Sequence, residues 1–341
     1  MRAIGIHQSL PITNPESLQD VELPTPEELG PRDLLVHVQA VSVNPVDVKI
    51  RGGANPEPLP APRILGWDAS GVVTAVGAKV SHFKVGDAVF YAGDLMRPGT
   101  NSEFHQVDER IVGSKPASMR HAQAAALPLT SITAYESLFH RLGIDHDGAN
   151  KGESILIIGG SGGVPSMAIQ MAKAAGLTVI ATGSRQASVD WVTALGADHV
   201  VNHRQDMVPQ VRALGIQHTT YVAIFNDMSH WDEAAELVAP QGGIVCIDDT
   251  HLPMNMEPLK MKSASLHWEL MFTRAMFQTA DMDAQHQLLT QVSKAVDAGA
   301  LRGTLGRTLS PLNAATLREA HALVETGSTT GKVVVAGPWT D

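Results

Sequence analysis

The chain has 341 residues, of which 44% are hydrophobic, 18% charged and 4% aromatic. At roughly 100–200 residues per domain this length predicts two domains, and the apolar share excludes a disordered chain. The formal net charge is −10, which excludes the basic electrostatic footprint of a nucleic-acid binder.

Cys246 is the single cysteine, so an intrachain disulfide and a thiolate-rich zinc cluster are both ruled out. The opening Met1–Gln8 runs straight into polar residues and Pro11, without an apolar region of signal-peptide length. The longest apolar runs, Ile155–Ile158 and Tyr221–Phe225, fall far short of the roughly 18 residues that a membrane span needs. The expectation is a cytoplasmic protein without a membrane segment.

The first 125 or so residues read as short β segments. Leu34–Val43 partly alternates, Gly71–Val76 and Ala88–Tyr91 look similar, and glycines punctuate the stretch, as in a half-buried antiparallel sheet or barrel. Prolines crowd the segment from Pro11 to Pro62 and predict no long helix there. After Ala122 the texture changes. Apolar strands at Ser154–Ile158, Thr178–Thr182, His199–Asn202, Thr219–Phe225 and Gly243–Asp248 alternate with helical patterns at Ser166–Ala175, Ala187–Leu195 and Trp231–Ala239. That alternation predicts a parallel sheet with helices on both faces, a doubly wound domain. The tail adds a helix at Ala284–Ala298, a strand at Thr304–Leu309, a helix at Asn313–Glu325 and a strand at Lys332–Val335. Its strands either extend the parallel sheet or return to the first domain, and periodicity leaves both open.

One segment carries the strongest chemical signal. The apolar strand Ile155–Ile158 runs into Gly159-Gly160-Ser161-Gly162-Gly163-Val164-Pro165 and then into a helical pattern. Gly160, Gly162, Gly163 and Val164 supply most of a G-x-G-x-x-G dinucleotide loop, with Pro165 in the sixth place. The first glycine permits a tight turn, and the second lets backbone approach a pyrophosphate at a helix N-terminus. Two other readings fit the same residues. One is a plain strand-to-helix turn. The other is a nucleophile elbow, G-x-S-x-G around Ser161, with Asp248 or Asp249 and then His321 as later triad partners.

The next strand ends Ala181-Thr182-Gly183-Ser184-Arg185, without the acidic residue that would bind ribose hydroxyls. A hydroxyl followed by a guanidinium suits an extra 2′-phosphate, which favours NADPH over NADH. Other signatures are missing. Tyr91, Tyr135 and Tyr221 lack the lysine four residues on that a short-chain dehydrogenase uses, and His199 and His203 sit at a strand and its exit without a nearby thiolate.

Further segments join the glycine loop in a consistent order. They are Val43-Asn44-Pro45-Val46-Asp47, Gly66-Trp67-Asp68-Ala69-Ser70-Gly71, Leu127–Glu136, Leu195–Asn202 and Gly331-Lys332-Val333-Val334. Together these resemble the medium-chain dehydrogenase/reductase superfamily, in its zinc-independent quinone oxidoreductase branch, over nearly the whole chain. The resemblance sets the hydrolase reading aside. It implies an α/β protein with a mostly-β GroES-like catalytic domain, from residues 1–128 and 275–341. A Rossmann domain with a doubly wound parallel sheet, residues 129–274, lies between those segments in the chain.

The resemblance also implies roles. Gly160, Gly162, Gly163 and Val164 face the pyrophosphate, Ser184, Arg185 and His203 hold the adenosine 2′-phosphate, and Thr130 and Thr133 with Asn44 line the nicotinamide. Tyr91 or solvent supplies a proton, and Asp47 orders the site. Zinc-dependent relatives carry a cysteine near position 46 and a histidine in Gly-His-Glu. This chain has Val46-Asp47 and Gly66-Trp67-Asp68, which implies no zinc and no metal ligand. Two departures stand out, Pro165 in the glycine loop and Ser328 where relatives often have a basic residue. The implied function is an NADPH-dependent reductase of quinones or α,β-unsaturated carbonyls. A non-catalytic NADPH-binding regulatory or structural protein is the alternative, and a substrate screen separates the two. The same branch implies a homodimer paired along Ser263–Leu270, and a substrate pocket lined by apolar residues such as Trp67, Phe225, Trp268 and Phe272.

Overall fold

The computed structural model describes residues 1–250 and 253–340, which divide into two compact units. One comprises Met1–Ile132 with Phe272–Asp341, and the other Thr133–Met271. The division falls inside the helix Pro128–Tyr135 rather than at its start.

The first unit is built on the long strand Asp33–Val43, whose alternation the sequence already showed. It pairs with Ala69–Val76, with Phe104–Asp108 and with Lys332–Ala336, all antiparallel. A seven-stranded sheet results, running from Leu305–Leu309 at one end to Val112–Ser114 at the other. The tail strands therefore return to the first sheet, which answers the question that periodicity left open. Prolines keep the early helices short, as expected: the nine-residue helix Pro45–Gly53 has its proline at the start, where a missing N–H costs nothing.

The second unit holds six parallel strands: Ser154–Ile158, Thr178–Thr182, His199–Val201, Thr219–Ile224, Val238–Cys246 and Ser265–Trp268. Numbered within the unit, they lie side by side in the order 3-2-1-4-5-6, the doubly wound arrangement whose ligands bind where the order reverses. The core strands Ser154–Ile158 and Thr219–Ile224 flank that reversal and are buried almost throughout. Several boundaries differ from the pattern by a residue or more, most of all in the fifth strand. The fifth strand begins at Val238 instead of Gly243, because a register shift with Gln241 at φ 62° separates its Thr219–Val238 pairing from the Gly243–Cys246 ladder.

His321 is fully buried on the helix Ala314–Glu325 of the first unit. Among the described residues neither of its ring nitrogens has a hydrogen-bond partner. Burial, with Arg51 adding to it, pushes its pKa down to about 3. An unfolded histidine binds a proton near pH 6.5, so the unfolded state gains protons first as the pH falls. Stability from this group is present above pH 6.5 and is lost progressively toward pH 3. His321→Leu is expected to melt no lower than wild type at pH 8, since it removes two unsatisfied nitrogens. Its melting temperature should fall less steeply than that of wild type between pH 6.5 and 4.5, and parallel curves would refute the assignment.

Candidate nucleotide site and a buried polar cluster

The glycine loop of the second unit follows from local sterics. Gly159 has φ 130° and Gly160 φ 64°, conformations that side chains with a Cβ rarely adopt. A Cβ on Gly159 would lie 3.0 Å from the Pro165 ring and 3.2 Å from the Phe225 backbone. Gly162 caps the helix Gly163–Ala174, so Pro165 occupies the third helical position instead of the first. The first four N–H groups of a helix have no intrahelical partner, so proline costs no hydrogen bond there, and its ring packs over Gly159. Ser166 closes the first turn by donating to the Gly162 carbonyl, 3.0 Å from the backbone nitrogen and 2.6 Å from Oγ.

Thr182 does work that the sequence did not reveal. Its fully buried Oγ1 accepts the N–H of Gly159 at 3.2 Å and of Gly160 at 3.1 Å. It thereby fixes the turn that leads into the helix. Ser161, the residue of the elbow reading, donates from Oγ to Ser188 Oγ at 3.2 Å. A triad nucleophile must hydrogen-bond to its histidine, and the histidine of that reading, His321, has no bonded ring nitrogen among the described residues.

Past the second strand, Gly183 and Ser184 lead to the exposed Arg185, which caps the helix Gln186–Ala194. Arg185 Nη2 lies 3.5 Å from Ser188 Oγ. His203, after the third strand, packs edge-on to His230 with ring centroids 6.1 Å apart. Its Nδ1 is buried without a partner among the described residues. Burial holds the His203 pKa below the usual value, and the charges of His230, Arg204 and Arg185 act in the same direction. The structure thus brings Arg185 and His203 into one electropositive corner and adds His230 and Arg204. Nearby carboxylates are spent elsewhere: Glu233 accepts from His230 at 2.6 Å and from the Met207 N–H, and Asp206 caps its own helix. Two arginines beside a histidine whose buried Nδ1 is unspent suit a phosphate monoester.

In the first unit, Asn44 and Asp47 are each 1% exposed. The Asp47 carboxylate accepts the Asn44 N–H at 2.7 Å, and burial, opposed by that bond and by Lys332, pushes its pKa up to about 7. The Asn44 amide donates to Asp68 Oδ2 at 2.9 Å and to the Trp67 carbonyl at 3.1 Å, while its Oδ1 accepts from Lys332. Lys332 also reaches the Val43 carbonyl at 3.0 Å and Asp68 at 3.2 Å. The other Asp68 oxygen accepts the Leu129 N–H at 2.8 Å. Burial raises the Asp68 pKa, and Lys332 with the two N–H donors pulls against it. Asn44 and Asp47, expected as catalytic groups, are therefore members of an enclosed network. Thr130 is 2% exposed and bonds the Leu127 carbonyl; Thr133 is 5% exposed, one turn on in the same helix.

Tyr91 is corrected more sharply. Its phenol is fully buried and stacked on His105 at 5.4 Å. His105 Nε2 faces the Pro98 carbonyl at 2.9 Å, so that nitrogen carries the hydrogen, and Nδ1 accepts from Tyr91 at 3.1 Å. Burial drives the phenol pKa far up and holds His105 down at about 4. This pair is a closed core contact, unsuited to donating a proton outward. Of the apolar residues expected to line a substrate pocket, Trp67 and Phe272 pack edge-to-face in the core of the first unit, Phe225 is buried and Trp268 is half-exposed.

No grouping of three or more His, Cys, Asp or Glu side chains able to hold a metal ion occurs among the described residues. Cys246 is buried, which pushes its pKa up to about 12. A zinc ion does not fit the corner around Asp68, where an ammonium already faces the carboxylate. No described helix is long and apolar enough to cross a membrane.

Similarity to known proteins agrees with this geometry. Residues 30–124 match the family described as alcohol dehydrogenase GroES-like domain, and residues 195–335 match the family described as zinc-binding dehydrogenase. A zinc-type alcohol dehydrogenase-like protein of Staphylococcus aureus is 41% identical over 92% of both chains. A mitochondrial NAD(P)H oxidoreductase of Mus musculus is 31% identical, covering 89% of this chain and 82% of its own. Among solved structures, a Rhizobium etli protein provisionally named a zinc-dependent alcohol dehydrogenase superposes with a TM-score of 0.94. It is 49% identical over 100% of this chain and 99% of its own. A quinone oxidoreductase of Pseudomonas syringae superposes at 0.81, with 27% identity over 98% of this chain and 99% of its own.

Thr182→Val keeps the shape but removes the acceptor of two loop N–H groups. Leaving buried donors unmet costs about 1–3 kcal/mol. The variant should melt at a lower temperature, and the amides of Gly159 and Gly160 should exchange with solvent faster than in wild type. Unchanged exchange at both glycines would show that another group holds the turn.

Proposed function

Because the chain belongs to the medium-chain dehydrogenase/reductase superfamily, and so is an oxidoreductase that uses a nicotinamide cofactor, we propose that it is an NADPH-dependent reductase of quinones or α,β-unsaturated carbonyls. The observation that carries the cofactor choice is the corner where Arg185 and Arg204 flank His203, beyond a strand that ends without a carboxylate. The glycine loop fits a dinucleotide because its backbone lacks Cβ atoms where a pyrophosphate would approach the helix N-terminus.

When bound, the nicotinamide supplies the hydride. The chain's own residues do the rest. Gly160, Gly162, Gly163 and Val164 present backbone to the pyrophosphate, and Ser184, Arg185 and His203 take the 2′-phosphate. By resemblance, Asn44, Thr130 and Thr133 are assigned to the nicotinamide. With Tyr91 enclosed, solvent is the proton source in this reading. The reading is metal-free, because Asp68 spends its lone pairs on Lys332, Asn44 and Leu129. Positioning and hydrogen bonding then activate the acceptor. The quinone and enone substrate class rests on the likeness to quinone oxidoreductases. The cytoplasm is the compartment proposed.

A screen of NADPH oxidation with benzoquinone, naphthoquinone and enals tests this reading, on protein whose zinc content is measured alongside. Turnover with substoichiometric zinc is expected; no turnover with any acceptor would defeat the reading. Arg185→Ala should raise the NADPH Michaelis constant roughly 10–150-fold, since a charged hydrogen bond is worth about 1.5–3 kcal/mol. NADH should change little, and equal weakening of both would refute the phosphate clamp.

We also propose a homodimer through the edge strand Ser265–Trp268. The strand lies at the end of its sheet, and Trp268 and Leu270 beside it are each 48% exposed. An apolar edge is an aggregation hazard unless covered, and a second copy covers it symmetrically. Sedimentation at micromolar concentration should give a dimer, and a monomer would count against the pairing.

A further inference from the structure

Lys332 has a side chain only 5% exposed, and Asp68 is wholly buried. An ammonium offers three hydrogens, and here each has an acceptor: the Val43 carbonyl, Asn44 Oδ1 and Asp68 Oδ2. The Asn44 amide has no freedom left. Its nitrogen faces the Asp68 carboxylate and the Trp67 carbonyl, and its oxygen faces the ammonium. Reversing it would set an NH2 group against a cation. The chain reaches further through Asp68, whose second oxygen holds the Leu129 N–H, in the first turn of the helix that carries Thr130. One lysine on the last strand therefore connects the Asn44 turn with the start of that helix, although 288 residues separate it from Asn44.

We propose that Lys332 is a positioning residue for hydride transfer: its ammonium fixes the Asn44 amide and, through Asp68, the start of the Thr130 helix. The inference rests on the reductase reading above. Lys332 touches neither cofactor nor substrate in this role, and it acts through the two groups it orients. A displacement of about 1 Å at a reacting geometry can cost 10²-fold in rate. A lysine that merely glued the fold together would instead affect rate only in proportion to unfolding.

Two variants separate these roles. Lys332→Met alone leaves Asp68 buried without its counter-charge, and its melting temperature should fall. Lys332→Met with Asp68→Asn removes both charges and keeps an acceptor for Leu129, though the new NH2 faces the Asn44 NH2 in place of Oδ2, so part of the melting temperature should return. If Lys332 positions the site, the double variant still turns over about 100-fold more slowly than wild type. NADPH affinity, read by tryptophan fluorescence, should change less than threefold. The primary isotope effect with NADPH deuterated at the transferred position should rise. Hydrogen exchange should remain faster than wild type at residues 43–47, since the Asn44 oxygen has lost its donor. Recovery of turnover together with stability, or wild-type exchange at 43–47, would overturn the proposal. Wild type is assayed first: if it oxidises no NADPH with any acceptor, the reductase reading fails and takes this inference with it. Full activity in the double variant, with an active wild type, sinks this inference alone.

Discussion

A cation withdrawn from water must recover, from the protein, both a counter-charge and an acceptor for every hydrogen it carries. Lys332 meets that demand in a single arrangement, and the arrangement constrains three distant stretches of chain at once. The strand Lys332–Ala336 cannot slip against Asp33–Val43 without pulling the ammonium off Asp68, because a one-residue shift turns each side chain to the opposite face. Ser42 Oγ donating to the Val333 carbonyl at 3.1 Å reinforces the same register. The tail is thus tied into the first sheet by polar contacts at the very point where hydrophobic pairing of Val333, Val334 and Val335 would tolerate alternatives. Removing one partner of a buried pair costs far more than the pair contributes, so the network specifies geometry more strongly than it stabilises.

The second unit solves a related problem with the opposite inventory. Its glycine turn exposes N–H donors, and two of them are met by the hydroxyl of a neighbouring strand. Beyond that strand stand Arg185 and Arg204 with two histidines, and the carboxylates close by are committed to helix caps and to His230. The result is a region prepared for negative charge at both the backbone and the side-chain level. Pro165 fits this design. A residue that would break a helix interior is neutral in its first turn, and its ring fills the space against Gly159 that a Cβ there would otherwise contest.

Much of this was legible beforehand, for identifiable reasons. The strands Ser154–Ile158 and Thr178–Thr182 stand where their apolar runs placed them, because a strand buried on both faces reads as a mostly apolar run. The glycine loop was readable because the required backbone angles leave few residue choices. The enclosure of Tyr91 is invisible in the sequence, which shows a hydroxyl but not its burial, and His105, fourteen residues on, closes over it. Asn and Asp beside a proline serve as readily in a turn as in a site, so Asn44 and Asp47 alone do not decide between the two. They turned out to brace a network whose key member, Lys332, lies at the far end of the chain. A lysine opening an otherwise apolar strand was the one visible signal. Thr182 and His230 gave none, since a threonine ending a strand and a histidine opening a helix are ordinary.

Similarity in name and similarity in chemistry part company at one corner. Two of the relatives carry zinc in their names, and the fold they share with this chain extends over nearly its full length. A metal site, however, depends on three or four donor atoms, which is a small fraction of what sequence identity counts. Overall likeness therefore transmits the sheet, the helix cap and the glycine turn far more reliably than it transmits a ligand set. In the metal-free reading proposed above, the scaffold around Asp68 is retained while the donors differ. By the resemblance, Val46 and Trp67 stand where zinc-dependent relatives have ligands, and the Asp68 carboxylate is matched to an ammonium at 3.2 Å. A divalent ion there would have to displace that ammonium and leave it buried without a counter-charge. That exchange replaces one satisfied cation by another while creating an unsatisfied one, and the desolvation cost of the stranded lysine opposes it.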